Sequence, residues 1–304
     1  MKIENHIIRQ KQRERAKKNL LAWLLFLPAL IVLYFIIWRP QVMGFAWSFF
    51  RMKGYRVEEF VGFDNYRIVL SNTHFVQWLL NTVKYVLWSL VVGFIPPYIV
   101  ALMINEMVHL KNTFKVVIYL PMIVPGIAAF LIWKLMYSSD ATGLLNMFLS
   151  LFGMEPYVWL QDGRFTILFI VISMTWKSMG GAMLLYFAAV QGISTELYEA
   201  AVIDGAGMWK RILHVTLPQT SGVLLLNLIR QIISVFQVME EPLSMTGGGP
   251  NEASVSLGYK IYQYGIVGNN QVGQALAISG IMFVLLIICT IFYFYFNKKI
   301  QEQY

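Results

Sequence analysis

The hydrophobic positions of this chain gather into long blocks rather than spreading at amphipathic spacing. A hydrocarbon core about 30 Å thick is crossed by roughly 20 helical residues. Six blocks reach that length, at 20–38, 82–104, 114–137, 165–190, 221–240 and 272–296. They predict an all-α, polytopic membrane protein with six transmembrane helices. The second block holds Pro96 and Pro97, the third Pro121 and Pro125. Proline is tolerated in a span where neighbouring helices satisfy the freed carbonyls, so bent helices in a bundle are expected. The first block, Leu20 to Trp38, is apolar for 19 residues and is followed by Arg39 and Pro40 rather than a small-residue cleavage site. It reads as a retained span, not a removed signal.

Composition agrees with this pattern. Of the 304 residues, 58% are hydrophobic and 13% charged, against about 25% charged in a soluble domain. The net charge of +8 raises nucleic acid as a partner. Seven of the 24 basic residues, however, lie within positions 1–19, next to the first block. That places a basic segment at a membrane surface and excludes nucleic acid as the better reading. Residues 20–304 then form the transmembrane domain. With the N-terminus inside, Lys and Arg number thirteen on inner segments and seven on outer ones, five of these seven in the first outer loop. The bias predicts both termini on the cytoplasmic side of the membrane. The lone cysteine, Cys289, excludes an intrachain disulfide framework and a multi-cysteine zinc site.

The connection 191–220, between the fourth and fifth blocks, is unlike its surroundings. Ser194 or Thr195 can cap a helix, with Glu196 in its first turn. Leu197 to Ile203 is helix-compatible, and Gly205 and Gly207 can end that helix. A second short helix from Met208 is expected to stop at Pro218. The result is a glycine corner on the inner face. Two readings fit it: an interfacial helix lying in the headgroups, or a knob that a partner covers. The small Ala200 and Ala201 favour the partner.

The string EAAVIDGAGMWKRILHVTLP, residues 199–218, resembles the signature of membrane subunits of binding-protein-dependent ABC importers. That signature is E-A-A, three residues, G, nine residues, I, one residue, L-P. Glu199, Ala200, Ala201, Gly205, Leu217 and Pro218 match at this spacing, and Val215 stands where isoleucine is usual. Other stretches are similar to carbohydrate permeases: FVGFDNYRIVLSNTHFVQWLLNTVKY (60–85), YLPMIVPGIAAFLIWKLMY (119–137) and MTGGGPNEASVSLGYKIYQYGI (245–266). GFIPPYIVALMINEM (93–107) looks more like permeases for larger oligosaccharides.

The resemblance implies a type I ABC importer fold with a cytoplasmic coupling helix between spans four and five. It implies that Glu199, Ala200, Ala201, Asp204, Gly205, Ala206, Gly207, Leu217 and Pro218 couple this chain to an ATPase. The implied partners are a second homologous permease subunit, two cytoplasmic ATPase subunits and an extracytoplasmic sugar-binding protein. ATP and Mg would sit on the ATPase subunits, so this chain carries no cofactor and is not itself an enzyme.

Polar residues inside spans mark substrate paths by default. In the fourth block Met174, Lys177, Ser178 and Gly181 share one helical face, with Trp176 as an aromatic platform beside them. In the fifth, Asn227, Arg230, Gln231, Ser234, Gln237 and Glu241 recur at similar spacing. Amides, hydroxyls and aromatic faces suit a sugar. Tyr186 and Phe236 are further candidate platforms. The same residues also suit bonding between helices. Lys177 and Arg230 could pair with Glu240 or Glu241. Lys84 and Lys134 are expected to snorkel to an interface.

The four histidines, His6, His74, His109 and His214, show no metal-ligand spacing. Gly205 to Lys210 lacks the third glycine of a dinucleotide loop, and no G-x-x-x-x-G-K-[ST] is present. The resemblance thus implies a permease subunit of an ATP-driven sugar importer working by alternating access. The alternatives are an ion-gradient-driven transporter, for which no inverted repeat is visible, and a membrane-embedded enzyme or anchor, for which no catalytic constellation is.

Overall fold

A computed structural model describes residues 2–268 and 271–301. Helix α1 (Lys2–Leu33) runs through a π-helical turn (Tyr34–Trp38) into α2 (Arg39–Trp47). A hairpin follows, β1 (Phe50–Lys53) with β2 (Arg56–Phe60), and then α3 (Asp64–Leu70). Helix α4 (Phe75–Trp88) passes through a second π turn (Ser89–Phe94) into α5 (Ile95–Glu106). Next come α6 (Lys111–Ile123), α7 (Gly126–Met136), α8 (Leu144–Ser150) and α9 (Thr166–Gln191). The short α10 (Thr195–Ile203) and α11 (Met208–Arg211) lead through a third π turn (Ile212–Thr216) to α12 (Leu217–Phe236). The chain closes with α13 (Glu240–Met245), α14 (Leu257–Tyr262), a fourth π turn (Gln263–Val267) and α15 (Val272–Gln301).

Among the described residues, five helical stretches are long and apolar enough to cross a membrane: Lys17–Trp47, Phe75–Glu106, Thr166–Gln191, Met208–Phe236 and Val272–Tyr295. The third expected span is broken. Its halves, α6 and α7, meet at 98°. The cause is local: Val124 precedes Pro125 and takes extended backbone, and Pro125 does likewise at φ −53, ψ 136. Counting this pair as one span brings the total to six.

The other prolines do not break their helices. Pro40, Pro96 and Pro218 each stand second in an α-helix that directly follows a π turn, and Pro97 stands third. A proline lacks the N–H that the ladder needs, and its ring crowds the carbonyl four residues back. The wider π turn relieves that crowding and lets the helix continue. Two expected boundaries therefore shift. The first span extends past Arg39 to Trp47, and the fifth begins at Met208. The expected stop at Pro218 is corrected: the chain is helical on both sides of it.

The β1–β2 hairpin adds a small sheet to the expected all-α fold. Lys53 pairs with Arg56 across the two-residue turn Gly54-Tyr55, and Gly54 takes φ +56. Glycine enters that left-handed region without steric cost, which sets the turn.

Helix α9 is the centre of the bundle and touches α4, α5, α6, α7 and α12. It packs tightly at Gly180, where a Cβ would stand 2.6 Å from the Ile118 carbonyl oxygen of α6. Polar bonds cross the same seams. Asn227 Nδ2 of α12 donates to the Tyr186 hydroxyl of α9 at 2.5 Å. The Tyr98 hydroxyl of α5 and Thr220 Oγ1 of α12 share a bond of 3.0 Å. These bonds keep buried side-chain polar atoms satisfied away from water. On α8, Asn146 is buried, and its side chain holds the backbone of Ser138 and Asp140 before the helix and of Tyr157 after it.

Candidate functional site

The segment 194–218 folds as a capped corner. Ser194 is extended, and its Oγ accepts from Glu196 N at 3.3 Å, starting α10. At the other end Ala206 N donates to Ala201 O at 2.8 Å and Gly205 N to Val202 O at 3.0 Å. Gly205 sits at φ +72, so the helix closes in a Schellman motif that glycine alone adopts without strain. Gly207 is extended and starts α11. The Tyr198 hydroxyl and Thr216 Oγ1 share a bond of 3.0 Å, tying α10 to the π turn below α12. Between these elements lies a cavity of about 140 Å³ bordered by Glu106, Tyr198, Arg211 and Thr216. Arg211 Nε is buried there without a hydrogen-bond partner among the described residues.

On the corner Glu199, Ala200, Asp204, Gly205, Gly207 and Leu217 are exposed, while Ala201, Ala206 and Pro218 are half-buried. The apolar side chains around them face outward. Ile203 is 86% exposed, Trp209 75% and Val202 56%. A projecting cluster of this kind is where proteins contact a partner or a lipid surface.

The expected path residues divide into three groups. Asn227 and Tyr186 are buried and bonded to each other, and Phe236 is buried too. Asn227 thus braces α9 against α12. Gln231 and Gly181 face neighbouring helices: a Cβ on Gly93 would stand 2.6 Å from Gln231 Nε2, and one on Gly181 would stand 2.9 Å from Met122 Sδ. The Ser178 hydroxyl donates back to Met174 O at 2.9 Å. Arg230, Ser234 and Gln237 are exposed, and Met174, Lys177 and Glu241 are half-buried. Trp176 is 37% exposed and meets the ring of Trp133 edge-on, 5.7 Å between centroids. The ion pairs among the described residues are Arg51–Glu59, His74–Glu252, Arg164–Asp162 and Lys260–Glu252, so Lys177 and Arg230 do not pair with Glu240 or Glu241. Glu240 instead sets its carboxylate at the start of α7, where a Cβ on Gly126 would stand 2.5 Å from it.

Sequence reasoning passed over a third cluster, in the loop 246–256. Glu252 sits at φ +60. Its carboxylate accepts from Trp78 Nε1 at 2.7 Å and from Lys260 Nζ at 3.1 Å, with His74 Nδ1 at 3.4 Å. Lys260 is buried and lies over the Trp78 ring, 4.4 Å from its centroid. Partial burial pushes the Glu252 carboxyl up, but the bonds from Trp78 and Lys260 and the charges of Lys260 and His74 outweigh it, leaving it below its ordinary value. Asn81 Nδ2 bonds the carbonyls of Glu252 and Val255, and the Tyr85 hydroxyl bonds that of Ser254, which fastens the whole loop to α4. The visible signal in sequence was the polar series Gln77, Asn81 and Lys84 on one helix face.

A bundle of long apolar helices with a projecting corner has the build of a multi-pass membrane protein. The chain belongs to a known family of this class, described as "Binding-protein-dependent transport system inner membrane component", whose model matches residues 98–302. It is accordingly a non-catalytic permease subunit of an ABC importer. It is 35% identical to the trehalose/maltose transport system permease protein MalF of Thermococcus litoralis, over 96% of this chain and 97% of that protein. It is 31% identical to the arabinooligosaccharides transport system permease protein AraP of Bacillus subtilis, over 83% of this chain and 80% of the other. Among solved structures, a chain of a bacterial alginate ABC transporter, in complex with an alginate pentasaccharide-bound periplasmic protein, superimposes with a TM-score of 0.81. That match covers 94% of this chain and 97% of the other at 25% identity.

Proposed function

We propose that this chain is the membrane permease of an ATP-driven carbohydrate importer and carries an oligosaccharide by alternating access. The observation that carries the reading is the corner at 194–218. It combines the E-A-A…G…L-P spacing with a rigid capped turn and an exposed apolar face. The sugar-permease names of relatives that align along most of the chain support the substrate class.

In this reading the chain has six spans, with the bent α6–α7 pair as the third, and both termini in the cytoplasm. Residues 1–19 are a basic cytoplasmic segment and 20–304 the permease domain. The corner, with Glu199, Ala200, Ala201, Asp204, Gly205, Ala206 and Gly207, docks on an ATPase subunit. Leu217 and Pro218 join it to the fifth span. A second permease completes the pore, and two ATPase subunits hold ATP and Mg, so this chain needs no cofactor. A binding protein delivers the sugar to the outer loops. Met174, Trp176, Lys177, Ser178, Gly181, Arg230, Gln231, Ser234, Gln237 and Glu241 border the path, with Asn227 bracing it.

The test is Glu199→Lys in the assembled complex. The expected result is loss of transport and of substrate-stimulated ATPase activity, with the subunit still in the membrane at normal level. Normal uptake by that variant overturns the coupling role.

A further inference from the structure

The pocket beside the loop 246–256 has a use that neither the corner nor the path residues account for. Its volume is about 360 Å³, and Gln77, Asn81, Lys84, Gln161 and Asn251 border it. That volume lies within the roughly 300–1,000 Å³ of small-ligand sites. Its walls are fixed. Gln77 Nε2 donates to Asn251 O at 3.0 Å, Asn81 holds the carbonyls of Glu252 and Val255, and Gln161 Nε2 donates to Ser139 Oγ at 3.2 Å.

Charge distinguishes this pocket. Lys84 is exposed, and it has neither a hydrogen bond nor an ion pair among the described residues. An ammonium offers three donors and accepts nothing. The two carboxylates nearest along the bordering segments are both engaged. Asp162 takes Arg164 through two side-chain bonds and the Tyr157 hydroxyl through a third. Glu252 takes Trp78, Lys260 and His74. Among the described residues, Lys84 is therefore a positive charge with no bonded counter-charge, on an apolar helix and beside the amides of Gln77, Asn81, Gln161 and Asn251. Such a group in a membrane protein points to a counter-charge from elsewhere. The same sign recurs along the proposed path. Among the described residues Lys177 and Arg230 have no ion pair, and Lys177 lies within the electrostatic reach of Glu241 without pairing to it.

We propose that this pocket is an entry subsite for an anionic saccharide, one bearing a carboxylate or a phosphate. Lys84 receives the anionic group, while Gln77, Gln161 and Asn251 face its hydroxyls. The inference rests on the sugar-importer reading and narrows it to a charge class.

The test uses the complete importer in proteoliposomes, with its binding protein, and three probes: trigalacturonate, glucose 1-phosphate and maltotriose. Uptake and stimulated ATPase are expected with trigalacturonate or with glucose 1-phosphate, and which of the two works identifies the anionic group. Lys84→Gln is expected to raise the half-saturating concentration of sugar-loaded binding protein about tenfold for the anionic probe, the loss of one charge-assisted contact. Lys84→Arg keeps the charge and is expected to stay within about twofold of the parent. Uptake of maltotriose alone, unchanged by Lys84→Gln, overturns the subsite and leaves the importer reading intact. An equal loss for every probe, matched by weaker docking of the unloaded binding protein, also overturns it, because Lys84 then serves that protein instead. No uptake of any carbohydrate overturns both readings.

Discussion

Trp78 Nε1 donates to the Glu252 carboxylate at 2.7 Å, joining side chains 174 residues apart. This bond and the Lys260 bond beside it hold Glu252 in left-handed backbone that a glutamate otherwise avoids.

Glu252→Gln is expected to destabilise the protein by about 1–2 kcal/mol at neutral pH, the range for a partly exposed charged hydrogen-bond acceptor. The native carboxyl is held below its ordinary value. Its contribution is therefore complete above the unfolded pKa, about 4.3, and is lost as pH falls through the lower native value. Thermal unfolding in detergent should show parent and variant well separated at pH 7 and converging below pH 4. A gap that does not narrow in acid contradicts the assignment.

Gly180 and Gly222 make a controlled pair. A methyl on Gly180 meets the backbone of Ile118 and Tyr119 at 2.6 Å, and one on Gly222 meets nothing within 4 Å. Gly180→Ala is expected to cost about 1–3 kcal/mol through overpacking. Gly222→Ala is expected to gain about 0.5–1 kcal/mol through reduced backbone freedom. Melting temperatures of the two variants should fall on opposite sides of the parent.

At Gly205 the cost is conformational and not steric, since no atom lies within 4 Å of an added Cβ. Gly205→Ala is expected to lose about 1 kcal/mol, the penalty of left-handed backbone, and Gly205→Asn less, because asparagine tolerates it. Equal losses for both would point to a hidden contact. Protease sensitivity between residues 200 and 210 is a suitable measure.

Asn227 and Tyr186 form a closed pair. Asn227→Leu or Tyr186→Phe alone leaves a buried polar group unpaired, expected to cost about 1–3 kcal/mol. The double variant removes both groups and should recover most of that loss, a coupling read directly from a double-mutant cycle. Additive losses would show that the two side chains act independently.

Much of this was legible in the chain. The apolar blocks gave the helices because only length and hydropathy decide whether a segment crosses a bilayer. Ser194, Gly205 and Gly207 announced the corner because capping is a local effect. Proline was legible as a perturbation but not as an outcome. Pro218 sits behind a π turn in a continuous helix, whereas Pro125 ends one, and the backbone of the preceding residue decides between them. The Glu252 cluster was hidden because its partners lie far apart in sequence. Asn227 looked like a path residue from its spacing alone, and only the position of Tyr186 across the seam reveals it as a brace.

The π turn before Pro218 has a mechanical result. Because the helix does not stop there, Met208 to Phe236 is a single rod of 29 residues. At about 1.5 Å per residue it is about 43 Å long. Tilting such a lever by about 10° about one end carries the other about 7 Å. On the coupling reading proposed above, a rotation of the corner at Gly207 becomes a displacement of about 7 Å at the Gln237 end of the rod.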